Sequence, residues 1–106
     1  MFVIALLIAQ AAPFDTKADY LELAKQHCAG EWPNDFAMQG YCVKGQAEGM
    51  LKFKAASASV GKPLEKALEK CTEQWTKNRL PDWAMIGYCA NNQAEAYLKL
   101  NSPPSP

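Results

Sequence analysis

The 106-residue chain has no surplus of charge of either sign, since 11 basic side chains are matched by 11 acidic ones. Without a global field nothing concentrates a polyanion near the protein, so no nucleic-acid partner is expected. No apolar run approaches the roughly 20 residues that a helix needs to cross about 30 Å of hydrocarbon, which excludes a stable membrane span. Close cysteine pairs are also missing: 13 residues lie between Cys28 and Cys42, and 17 between Cys71 and Cys89. Structural zinc sites draw thiolates two to four residues apart from one turn, so no metal is expected, and no C-x-x-C redox motif exists. No cofactor is implied. Histidine occurs once, as His27. Adjacent helical residues point about 100° apart, so His27 does not address the neighbouring Cys28, and a solvated surface histidine is expected.

What the chain does have begins with an apolar run from Phe2 to Ala9, followed by Gln10 and Ala11. This small-residue ending resembles a signal-peptidase site, so residues 1–12 are expected to be a signal peptide, although no Lys or Arg precedes the apolar core. Four cysteines in a short chain behind such a segment point to two disulfides in an oxidising compartment, hence to a secreted or periplasmic protein.

The dominant feature is a repeat. Asp35–Phe53 and Asp82–Leu100 align at an offset of 47 with 11 of 19 positions identical, including Asp35/Asp82, Met38/Met85, Gly40/Gly87, Cys42/Cys89 and Gln46/Gln93. Upstream, Leu21/Leu64, Glu22/Glu65, Cys28/Cys71 and Trp32/Trp75 align at an offset of 43. The second copy therefore holds four extra residues at its tip, about one helical turn. Leu64, Ala67, Leu68, Cys71 and Trp75 fall on one helical face, and apolar spacing of three and four argues against strands throughout. Pro33-Asn34-Asp35 and Pro81-Asp82 are helix-entry signals, and Thr16 with Asp19 resembles a capping box. The stretch from Lys54 to Lys62 reads as a small-residue connector that stops at Gly61, and the Asn101–Pro106 tail as disordered.

Each copy thus reads as helix, turn, helix. In two antiparallel helices Cys71 and Cys89 lie at similar distances from the hairpin tip, which pairs them and, by the repeat, pairs Cys28 with Cys42. The expected fold is all-α: two tandem disulfide-stapled hairpins, about four helices in a small bundle, over residues 13–58 and 59–101, with 102–106 as a tail.

No residue pattern here carries catalysis. Asp35 with Glu48, and Asp82 with Glu95, sit 13 residues apart on one helix, about 20 Å, too far to share a substrate bond. Gln46 and Gln93 border the apolar face, where an amide bonds either a partner helix or a ligand. Trp32, Phe36, Trp75 and Trp83 gather at the tips beside prolines, either covering the turns or standing exposed as partner-binding residues.

The string Trp32-Pro33-Asn34-Asp35-Phe36-Ala37-Met38-Gln39-Gly40-Tyr41-Cys42, with Gln46 four on, resembles a motif of small secreted or envelope proteins of bacteria. A fainter likeness is to secreted lysozyme-inhibitor-like helical domains, in which the spacing equivalent to Met38–Cys42 is one residue shorter. The first likeness implies no known activity; the hairpin tips and helix faces themselves point to a non-enzymatic secreted or periplasmic module with a protein partner. The second implies an inhibitor of a secreted or envelope enzyme. A thiol-active enzyme is the third alternative, and oligomeric state is not legible.

Overall fold

The computed structural model describes residues 17–103. The expected signal segment, Thr16 and the last three residues of the tail lie outside that range. Four helices follow in order: α1 (Lys17–Glu31), α2 (Phe36–Val60), α3 (Glu65–Gln74) and α4 (Trp83–Leu100), with a 3-10 turn at Lys62–Leu64. The fold is all-α and is stapled as the spacing predicts, by Cys28–Cys42 and Cys71–Cys89, each with its Cα atoms 5.7 Å apart.

Both staples have the same local geometry. Cys28 and Cys71 each sit three residues before the end of their helix, at Glu31 and Gln74, and Cys42 and Cys89 each sit six residues beyond the start of theirs. The structure departs from the sequence reading in two places. The first helix of the second copy ends at Gln74, and the four extra residues make a β-ribbon rather than a helical turn: Thr76–Lys77 pairs antiparallel with Leu80–Pro81. The physical reason is local. Asn78 and Arg79 both adopt left-handed conformations, with φ of 51° and 65°, giving the right-handed twist that a two-residue hairpin loop needs.

The second departure is at the connector. Residues 54–60 continue α2 as helix, and Ala56 is buried, because small residues let the helix lie close to its neighbours. The chain turns at Gly61, where the connector was expected to stop. Gly61 holds φ at 81° while its N–H bonds the Ser57 carbonyl at 2.8 Å, a conformation that glycine adopts without Cβ strain.

The core joins Ala56, Leu64, Leu68, Ala90 and Ala94, flanked by Phe53, Val60, Ala67 and Tyr97. It lies between the C-terminal half of α2, the 3-10 turn, α3 and α4. Residue numbers rise together on α2 and α4, with Gly49 against Gly87 and Ala56 among Ala90 and Ala94, so the two helices run in the same direction. The approach is close: a Cβ at Gly49 would overlap the Trp83 carbonyl, and one at Gly87 would overlap the Gly49 backbone. Glycine at both positions is therefore a packing requirement, one that the alignment of Gly40 with Gly87 does not distinguish.

Candidate functional site

The two aspartates that open α2 and α4 behave alike. Asp35 accepts the Met38 N–H at 3.1 Å and Asp82 the Met85 N–H at 3.4 Å, each satisfying an orphan donor of a helix first turn. The paired glutamines do not behave alike. Gln46 is 2% exposed; its Nε2 donates to Asp82 Oδ1 at 2.8 Å, and its Oε1 accepts the Trp83 backbone N–H. One amide thus ties α2 to the start of α4. Gln93 is exposed and makes no hydrogen bond to the described residues.

The tip aromatics divide the same way. Trp83 is half-buried between Tyr20 of α1 and Phe53 of α2, both edge-on, at centroid distances of 5.7 and 5.6 Å. It belongs to the contact between hairpins, which is the covering alternative of the two that the sequence left open for the tip aromatics. Its indole N–H is buried without an acceptor among the described residues. Trp75 is half-buried against the ribbon, and its carbonyl accepts the Asp82 N–H at 2.8 Å. Trp32 is exposed, its carbonyl accepting Gln39 Nε2 at 2.8 Å, and Phe36 is 79% exposed.

Around Phe36 the surface is concave. A groove of about 550 Å³ runs between α1 and α2, lined by Glu22, Lys25, Ala29, Phe36, Gly40 and Val43. Its floor is permissive, since a Cβ on Gly40 would meet nothing within 4 Å. The groove is half polar, with Gln26 and Gln39 beside Glu22 and Lys25, and half apolar or glycine, around Phe36 and Val43.

His27 also departs from the sequence reading. It is half-buried rather than solvated: Nε2 lies 3.6 Å from Glu31 and 3.8 Å from Asp82. Three donor groups lie within 4.8 Å of one another there, drawn from α1 and the N-terminus of α4. The arrangement links the first hairpin to the residue that caps α4. The only local sequence signal was the spacing of His27 and Glu31 by one helical turn; the approach of Asp82 is a tertiary event.

All four cysteines are paired, so no thiol is free. Glu48 and Glu95 are exposed, as expected of a solvated face. Among the described residues no helix is long and apolar enough to cross a membrane. Comparison with protein-family models, with curated proteins and with solved structures gave no match.

Proposed function

We propose that the protein is a non-enzymatic module, secreted or periplasmic, that binds a protein partner through the groove of its first hairpin. Phe36 and Trp32 are the apolar contacts and Lys25 supplies charge at the rim. One observation carries the reading: among the described residues nothing covers the groove beside Phe36, while the same surface of the second hairpin, around Trp83, is covered by α2. A chain that repeats a surface and leaves one copy uncovered by the described residues, with a large aromatic 79% exposed in it, has a docking face to offer. Two disulfides in place of free thiols suit the oxidising compartment and leave the cysteines no nucleophilic role.

The test is a photoreactive residue at position 36, expressed in the native host, with a matched probe at exposed Lys54 as control. Covalent adducts with protein are expected from position 36 and not from position 54. Absence of adducts at position 36, or equal yields at both, would refute the reading. Should the adduct be a hydrolase that loses activity on binding, the inhibitor alternative becomes the specific form of this function.

A further inference from the structure

The open groove has a filled counterpart in the same molecule. At the repeat offsets of 43 and 47, its residues Lys25, Phe36, Gly40 and Val43 correspond to Leu68, Trp83, Gly87 and Ala90. Those four are covered by α2, which lays three residues of one face across them. Gln46 bonds the Asp82 carboxylate and the Trp83 N–H, Gly49 abuts Gly87, and Phe53 stacks edge-on against Trp83.

The covering face is itself repeated. Gln46, Gly49 and Phe53 correspond to Gln93, Ala96 and Leu100 on α4. All three are exposed, and Leu100 is 84% so, the counterpart of a contact that elsewhere in the chain is made. These two half-contacts cannot meet within one chain. Because α2 and α4 run parallel with Gly49 on Gly87, Gly40 lies nine residues before that point and Ala96 nine after it. At about 1.5 Å per residue they are about 27 Å apart along the pair.

We propose that the groove of one molecule receives the C-terminal half of α4 of a second copy, reproducing between chains the contact that α2 makes with α4 within one. In this arrangement Gln93 of one molecule reaches the Asp35 carboxylate and Phe36 N–H of the next, and Leu100 lies on Phe36. The inference rests on the proposed function, since it names the partner of the same groove. The two surfaces are different and lie at opposite ends, so the contact is heterologous and propagates head to tail.

Three departures from the internal template set its strength. Ala96 stands where Gly49 does, and its methyl holds the helices farther apart. Lys25 replaces Leu68 and Gln39 replaces Ile86, so the groove is more polar than its buried counterpart. The assembly is accordingly reversible, whereas the internal contact is permanent.

Sedimentation velocity across a concentration series tests this, using the purified protein with its disulfides intact. The weight-average mass of the wild type rises with concentration, and Ala96→Gly, which removes the obstructing methyl, tightens association about tenfold, the equivalent of about 1.4 kcal/mol. Phe36→Asp and Leu100→Asp alter exposed side chains, so both fold, as unchanged helical circular dichroism verifies. Each alone is monomeric. Mixed in equal amounts they form dimers and nothing larger, because each supplies the face that the other lacks. Wild-type and Ala96→Gly proteins that both remain monomeric, or a mixture that stays monomeric, would overturn the proposal. Position-36 adducts to a different protein, from a chain that is monomeric in solution, would overturn it too and leave the proposed function standing.

Discussion

Gln46 and Gln93 are the same residue at the same place in the repeat, and the structure gives them opposite energetic roles. Replacing Gln46 by Ala removes a bond to a carboxylate, worth about 1.5–3 kcal/mol, and leaves the Trp83 N–H at the start of α4 without its acceptor, a further cost of about 1 kcal/mol. The side chain is 2% exposed, so water cannot readily substitute. A loss of about 2.5–4 kcal/mol is therefore expected for Gln46→Ala. Gln93→Ala, at an exposed site with no bond to the described residues, should lie within about 0.5 kcal/mol of wild type. Urea denaturation of the disulfide-intact proteins, followed by far-ultraviolet circular dichroism at low micromolar concentration, measures both. Equal destabilisation by the two substitutions, or a loss below about 1 kcal/mol for Gln46→Ala, would refute the tie between α2 and α4.

Five further substitutions, at four positions, are informative in the same assay. Gly49→Ala should cost about 3 kcal/mol, because the new methyl meets backbone that cannot move aside, whereas Gly40→Ala, its Cβ in open space within a helix, should stabilise by about 0.5–1 kcal/mol. Arg79→Gly should stabilise by about 1 kcal/mol by relieving a left-handed conformation at a Cβ-bearing residue, and should leave the helical signal unchanged. Trp83→Phe should change stability by less than about 1 kcal/mol, since it removes a buried indole donor with no acceptor and copies Phe36, while Trp83→Ala should cost about 3–5 kcal/mol through the cavity left between Tyr20 and Phe53.

Much of the fold was legible because it is set locally. Cysteine positions relative to the tips, aspartates at helix starts and a glycine at Gly61 are short-range signals, and each did what its chemistry predicts. The ribbon at Thr76–Pro81 was hidden because its turn is Asn78-Arg79, without the glycine that usually marks a two-residue hairpin. Residues 54–60 were read as a connector because their small side chains carry little apolar periodicity; their role is to allow close approach, which only the neighbouring helices reveal. His27 looked solvated because the residue it faces, Asp82, is 55 positions away.

The candidate site was legible as chemistry but not as location. Phe36 and Trp83 were singled out together, and the alternatives of covering a turn or standing exposed are each realised once. A repeat of two units must end, so its identical residues cannot have identical surroundings: the inner copy of each face meets a neighbour and the outer copy does not. That distinction is created by assembly and is invisible in an alignment of the copies. The one trace in the sequence is the change of Leu68 and Ile86 in the second copy to Lys25 and Gln39 in the first, where the groove is uncovered.

Each disulfide joins cysteines that are neighbours in sequence order, 14 and 18 positions apart, and neither bridge crosses from one hairpin to the other. A chain delivered N-terminus first across a membrane presents Cys28 and Cys42 together, with 28 residues still to pass before Cys71 arrives. The first bond can therefore close while no wrong partner is present, and the second closes among the only two thiols left. Oxidation in that order would yield the native pairing directly, with no step of disulfide isomerisation.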